Sequence, residues 1–262
     1  MNIDKFTIVS YDQFVGFDRS TGNLDMIMDE LTDFTLSQEE EKVDIQGKGG
    51  RPIGSLKKNK KVTGKGTNGM LSGGALAAML GSEITDGTYK IKYTDTIIVN
   101  SNKGETHETA VGTVGDEIGT IYVRDENNAY ISGGKKLTQT SGLPKTGEFS
   151  YEPGTKTITF FAGDVKDGVE VIAFYYAEVT GKKITNDADN YSKTLEGFLD
   201  VTCQDACDNL FHGQFIIPRA DFTGTFDLQG GSDPATQGFE FTSLPNLRTG
   251  KTDLWEFIVF DN

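Results

Sequence analysis

The stretch Gly147–Val179, GEFSYEPGTKTITFFAGDVKDGVEVIAFYYAEV, constrains the fold more than any other part of this chain. Alternating apolar residues, broken at Pro153-Gly154 and Asp167-Gly168, predict three strands joined by two tight turns. The last strand is apolar on both faces: Val169, Val171, Ala173, Tyr175 and Val179 on one, Ile172, Phe174 and Tyr176 on the other. A strand at the surface of a lone sandwich needs only one apolar face, because the other meets water. Both faces here call for cover, from a second layer, a helix or a neighbouring subunit. The pattern is that of a building block.

Similar patterning predicts opening strands at Lys5–Phe17 and Leu24–Ser37. The arms of a long hairpin follow at Glu41–Gln46 and Ser55–Thr63, around Gly47-Lys48-Gly49-Gly50-Arg51-Pro52. Three glycines and a proline at that tip suggest an excursion away from the body. Ser72–Gly81 is the clearest helix: a Ser to cap its start, Ala and Leu to fill it, Gly81 to end it, and Leu71, Ala75 and Met79 as an apolar stripe. Period two returns at Thr88. Further strands are expected at Ile97–Ser101, His107–Val114, Ile118–Arg124, Ala129–Leu137, Thr155–Ala162, Val169–Val179, Ser192–Val201, Phe211–Pro218, Gly224–Leu228, Gly238–Thr242 and Leu254–Asp261. So many strands with one short helix exclude a doubly wound α/β fold. The expectation is a mainly β protein, a β-sandwich or barrel of two antiparallel sheets with one short flanking α-helix. Residues 1–262 read as a single domain. Asn100–Gly168 is a candidate for a small inserted β-unit, with no Pro/Ser-rich linker at its edges.

Charge decides which partners are plausible. The chain has 25 Lys and Arg against 39 Asp and Glu, a net charge of −14. That opposes general nucleic-acid affinity, which requires a positive face along the phosphate backbone. It suits a surface past which DNA moves without sticking. The distribution is uneven: Asp25–Glu41 has seven carboxylates and no cation, whereas Lys42–Lys65 has eight cations against Asp44 alone. The two blocks are neighbouring strands of one hairpin that neutralise each other, or a basic loop set against the acidic face of the next copy, with a nucleic-acid patch as the remaining alternative.

Motifs for chemistry are weak. Gly64-Lys65-Gly66-Thr67-Asn68-Gly69 matches GxGxxG before the helix, but the preceding Lys57-Lys58-Asn59-Lys60-Lys61 is no hydrophobic strand and no βα alternation follows. Cys203, Cys207, His107 and His212 lack the two-plus-two spacing of zinc sites. Two cysteines make no disulfide framework and read as partly buried thiols in a reducing compartment. No nucleophile motif surrounds either histidine. No run approaches the ~18 apolar residues of a membrane span, and the N-terminus lacks a basic head with a long apolar core, so no cleaved signal is expected. The reading is of no catalytic, cofactor or metal site.

Several segments resemble bacteriophage major tail tube subunits: FTLSQEEEKVDIQGKGGRPIGSLKKNKKVTGKGTNG (Phe34–Gly69), SGGALAAMLGSE (Ser72–Glu83), the strands GEFSYEPGTKTITF and VEVIAFYYAEV, and the closing FHGQFIIPRADFTGTFDLQGGSDPATQGFEFTSLP and DLWEFIVFDN. The resemblance implies a tail-tube-like β-sandwich with one flanking helix, six copies closing into a ring, and rings stacking into a tube through which DNA leaves the capsid. It sets Lys48, Arg51, Lys57, Lys58, Lys60 and Lys61 between rings, against Asp25, Asp29, Glu30, Glu39, Glu40 and Glu41. The implied partners are further copies and other virion proteins, with DNA passing without tight binding and no membrane. The implied location is the virion tail, assembled in the host cytoplasm, with Asn100–Gly168 as an outward decoration. The alternatives are a head decoration or baseplate component, or a carbohydrate- or surface-binding β-sandwich. Trp255, the sole tryptophan, sits in an apparent strand, which weighs against the last of these.

Overall fold

The computed structural model describes residues 5–125, 129–130, 134–226, 228–229, 235–246, 250 and 252–260. Its strands are β1 (Phe6–Asp18), β2 (Leu24–Met28), β3 (Leu31–Gln46), β4 (Pro52–Asn68), β5 (Thr85–Ile98), β6 (Lys103–Glu105), β7 (Thr120–Val123), β8 (Lys135–Gln139), β9 (Glu148–Glu152), β10 (Thr157–Phe160), β11 (Glu170–Lys183), β12 (Thr194–Asp205), β13 (Leu210–Phe222), β14 (Leu228–Gln229), β15 (Thr236–Ser243) and β16 (Glu256–Phe260). One helix, α1 (Gly73–Leu80), lies between β4 and β5. The protein is mainly β, with two sheets and one short helix, as the patterning predicts. The chain divides into two compact units: Met1–Thr85 with Ile184–Asn262, and Asp86–Lys183. Each sheet supplies its own core.

The first unit is built on a nine-stranded sheet of order β2-β1-β12-β13-β15-β4-β3, with β14 paired to β15 and β16 to β13. Its end strands β2 and β3 are joined by only two residues, Asp29 and Glu30. So short a link forces the sheet to curl until its edges approach. The rings record the curl: Phe34 of β3 lies 6.4 Å from Phe14 and 5.8 Å from Tyr11, both on β1. Phe222, Phe239 and Phe241 fill the same interior, each within 6.2 Å of Phe14. Fully buried Met26 and Met28 of β2 close it.

Interior glycines make room for these rings. Gly66 and Gly64 of β4 stand opposite Phe239 and Phe241 of β15. A Cβ on Gly66 would meet the Phe239 ring at 2.9 Å, and one on Gly197 would meet Phe14 at 2.7 Å. Large rings laid over bare backbone let the strands bend without leaving a void.

Helix α1 starts and stops where its sequence says. The Ser72 hydroxyl accepts the Ala75 N–H at 3.3 Å and donates to the Ile27 carbonyl at 2.8 Å, tying the cap to β2. Gly81 ends the helix in the left-handed region at φ 64°, where its N–H returns to Ala77 and Ala78. Any side chain there would strike the Tyr191 carbonyl oxygen. Ala75, Ala78 and Met79 join the core of the curled sheet.

The second unit is a seven-stranded sheet of order β5-β11-β7-β8-β9-β10-β6. The β8–β9 pair is parallel, a departure from the all-antiparallel expectation. Ile121, Leu137, Phe149, Ile158, Val171 and Ala173 are completely buried within it. Only one face of β11 is covered: Val171, Ala173, Tyr175 and Ala177 are buried, while Phe174 and Tyr176 are 36% and 50% exposed.

An ion pair pins a turn of this unit. The Asp164 carboxylate meets the Lys135 ammonium and accepts the Gly147 N–H at 2.6 Å. Burial opposes its ionisation, but the Lys135 ammonium and the Gly147 N–H outweigh burial and hold the carboxyl below the usual aspartate value. A group depressed on folding stabilises above its unfolded pKa, and that stability drains away as pH falls through the folded value. The unfolding midpoint of the second unit should therefore drop as the solution is acidified below the ordinary aspartate value of 3.8. Asp164→Asn should cost about 1–3 kcal/mol at neutral pH and flatten this acid slope. An undiminished slope in the variant would refute the assignment.

Three sequence expectations are corrected. Leu24–Ser37 is two strands, because the chain passes from one end of the sheet order to the other at Asp29-Glu30, where Asn68 Oδ1 accepts the Glu30 N–H at 3.0 Å. His107–Val114 is a loop, because side chains satisfy its backbone: Asp95 accepts the His107 N–H at 2.7 Å, the Tyr175 hydroxyl that of Glu108 at 3.0 Å, and the Tyr151 hydroxyl that of Ala110 at 2.9 Å. Thr223–Phe226 lies outside any strand, with the Thr223 N–H donating to the Glu240 carbonyl at 3.0 Å. Of the strands expected at Ala129–Leu137, Gly224–Leu228 and Leu254–Asp261, residues 131–133, 227 and 261 lie outside the described residues.

Candidate functional site

The distal halves of β3 and β4 form a two-stranded ribbon with water on both sides. Every residue of Ser37–Gln46 and Pro52–Lys61 is exposed. At roughly 3.3 Å per residue, eight residues from Glu39 to Gln46 extend it by about 26 Å. Its tip turns through Gly49 and Gly50 at φ 81° and 75°, conformations that favour glycine. One face sets Val43 opposite Leu56 and Ile45 opposite Gly54. Ile45, Ile53 and Leu56 are 49%, 71% and 57% exposed. A ribbon of two strands with no layer beneath it is marginal in water. Exposed apolar residues at this density mark a surface that another molecule covers.

The charge blocks meet within this ribbon. Lys57 Nζ lies 2.8 Å from Glu40 Oε1 and Lys58 Nζ 3.3 Å from Glu41 Oε1, each pair bridging the two strands. The Lys57 hydrogen bond and charge hold the Glu40 carboxyl below its usual value. Asn59 adds a 2.6 Å hydrogen bond to Glu41, from a left-handed conformation beside the register shift at Glu39/Glu41. Four members of the two blocks thus neutralise each other inside the subunit. Glu39 stands opposite Lys61 in register. Among the described residues, Lys48, Arg51, Lys60 and Lys61 form no ion pair, and neither do Asp29, Glu30 and Glu39. Asp25 of β2 pairs with Lys193 at 2.8 Å. The structure therefore gathers Glu39, Glu40, Glu41, Lys57, Lys58, Lys60 and Lys61 on one ribbon, with Lys48 and Arg51 at its tip. Asp25, Asp29 and Glu30 belong to β2 and the link that follows it.

A second surface lies on the side of the curled sheet away from its core. Asp200 of β12 accepts hydrogen bonds from Gln13 of β1 and Gln214 of β13, both at 2.7 Å. Glu196 shares that side, alternating with buried Leu195, Gly197 and Leu199. Asp12 accepts from the Thr202 hydroxyl at 2.8 Å. Asp12, Glu196 and Asp200 have no ion-pair partner among the described residues. The acid is concentrated in this unit: Asp86–Lys183 has 11 Lys and Arg against 14 Asp and Glu, and the rest of the chain 14 against 25.

The weaker motifs resolve into structure. The GxGxxG run is the end of strand β4 up to Asn68, and Gly64 and Gly66 face phenylalanine rings. Cys203 points into the core, where burial first and the Asp12 charge second push its thiol pKa up. Cys207 is exposed, and His212 stacks on Phe260 at 6.0 Å. No three His, Cys, Asp or Glu converge as metal ligands among the described residues.

The YomU/Tube protein family matches residues 6–257. The chain belongs to the YomU/Tube family. The match spans nearly the whole sequence and agrees with the tail-tube resemblance of its segments. The family's name suggests a structural protein of a phage tube, and a tail-tube family implies self-assembly alongside other virion proteins. No curated protein matches the chain. No described helix is long and apolar enough to cross a membrane.

Proposed function

We propose that this protein is the repeating subunit of a bacteriophage tail tube, with six copies to a ring and rings stacked into a conduit for DNA. The observation that supports this most is the ribbon. It is wet on both faces, carries exposed Ile45, Ile53 and Leu56, and gains its stability by lying on another copy. Its unpaired Lys48, Arg51, Lys60 and Lys61 would meet Asp29, Glu30 and Glu39 of the next ring. The internally paired Asp25, Glu40, Glu41, Lys57 and Lys58 would flank that contact. A contact between two different patches repeats without closing, so it propagates a filament.

The conduit is assigned to the acidic unit. Asp12, Glu196 and Asp200 on strands β1 and β12, without ion-pair partners among the described residues, suit a bore that repels phosphate. The second unit, with nearly balanced charge, is assigned the role of a decoration. Sedimentation over a concentration series, with a duplex-DNA retardation assay at physiological salt, tests the reading. Concentration-dependent polymers that leave DNA unretarded support it. A monomer at every concentration removes the tube, and sub-micromolar DNA binding removes the conduit.

A further inference from the structure

The second unit turns an aromatic face to solvent that tube formation leaves unexplained. Register places Ile172 of β11 beside Tyr122 of β7, and Tyr122 beside Lys136 of β8. The Tyr122 ring stands at 75° to that of Phe174, with centroids 6.4 Å apart. Lys92 of β5 brings its ammonium to 6.0 Å from the Phe174 centroid. Lys92, Tyr122, Ile172 and Phe174, with Ile118, Thr120 and Tyr130, line an open hollow of about 590 Å³, and Lys136 stands beside it on β8. That volume is within the range of small-ligand sites.

Two perpendicular rings make a floor and a wall. A thin aromatic ligand could stack on only one of them, whereas a saturated ring presents C–H groups to both. Hydroxyls on Thr120 and Tyr122 supply the partners that a sugar's hydroxyls require. The charges then select among sugars. Lys92 and Lys136 have no carboxylate partner among the described residues, whereas nearby Arg124 is paired with Glu170. Two free ammonium groups on an aromatic face, in a chain of net charge −14, call for an anion.

The geometry points to a binding site for an acidic saccharide on the outer face of β5, β11, β7 and β8. A pyranose ring packs in the corner of Tyr122 and Phe174, and its carboxylate or phosphate lies within reach of Lys92 or Lys136. Single-stranded nucleic acid fits less well, because a charge on every nucleotide needs a cationic track and this unit has more acids than cations. The site stands on the geometry of the second unit alone and does not depend on the tube. Its failure would leave polymerisation untouched.

The test is an array of acidic and neutral oligosaccharides probed with the full chain, followed by calorimetry on the retained sugars at low and high salt. The array includes uronate-bearing, sialylated and phosphorylated members, so the source of the anion is read from which of them bind. Acidic members should be retained over their neutral counterparts, with affinity falling as salt rises. Phe174→Ala should weaken binding about tenfold, the loss of one stacking ring. Lys92→Gln should weaken it about threefold, with circular dichroism and sedimentation unchanged. Should Phe174→Ala fail to fold, Lys92→Glu carries the test, since it alters only a surface charge. Three results would overturn the site. They are retention of no acidic sugar, tighter binding of oligothymidylate than of any sugar, or a Phe174→Ala variant that keeps its sugar affinity but loses self-association. The last would give the face to a second copy.

Discussion

Changing Lys48, Arg51, Lys60 and Lys61 together to Glu should abolish polymerisation and leave a soluble, folded subunit. These four cations lie on or at the tip of the exposed ribbon and have no carboxylate partner among the described residues. Exposed pairs are worth about 0.2–1 kcal/mol each, so four of them turned from attraction to repulsion raise the assembly threshold on the order of a hundredfold. The effect should depend on salt, with the wild type also weakening as ionic strength rises. Reversing Lys57 and Lys58 is the less informative change, because it breaks their pairs with Glu40 and Glu41 inside the subunit. Sedimentation with circular dichroism checks the outcome. Polymers as abundant as before would remove the ribbon's cations from the interface.

Phe14→Ala should be the most damaging single truncation, costing about 3–5 kcal/mol of folding stability. Phe14 is fully buried and touches the rings of Phe34, Phe222, Phe239 and Phe241. Three of those rings belong to strands far from β1 in the hydrogen-bonded order, Phe34 to β3 and Phe239 and Phe241 to β15, so Phe14 holds the sheet's curl as well as its core. Gly197 beneath it has no side chain to fill the void. Against a total of roughly 5–15 kcal/mol, the loss leaves a marginal subunit. Trp255, the chain's one tryptophan, packs 5.6 Å from Phe215 in the same unit and reports its unfolding by fluorescence. A loss under about 1 kcal/mol would mean that the ring cluster does not hold the curl.

Local chemistry was legible in the sequence; long-range placement was not. Ser72 and Gly81 bracket the helix because a hydroxyl cap and a left-handed residue leave unmistakable signatures. The hairpin around Gly49-Gly50 was legible for the same reason. Asp29-Glu30 carries neither glycine nor proline to mark a turn, so nothing local reveals that β2 and β3 lie at opposite ends of one sheet order. The apolar residues of His107–Val114 read as a strand, because its partners are the hydroxyls of Tyr151 and Tyr175, more than 40 residues away in the chain. Both limits of the second unit fall at the ends of long strands, β5 and β11, where no shift of composition could mark them. Of the open readings of the charge blocks, cross-strand neutralisation is visible for Glu40, Glu41, Lys57 and Lys58. The remaining charges are the ones assigned to assembly.

Cryo-electron microscopy of the concentrated protein tests the self-assembly directly. The account predicts a hollow, axially repeating polymer in which density for Ser37–Lys61 crosses from each subunit onto the next ring and Asp200 faces the bore. Discrete monomers with that ribbon free in solvent, or a closed oligomer without an axial channel, would contradict it.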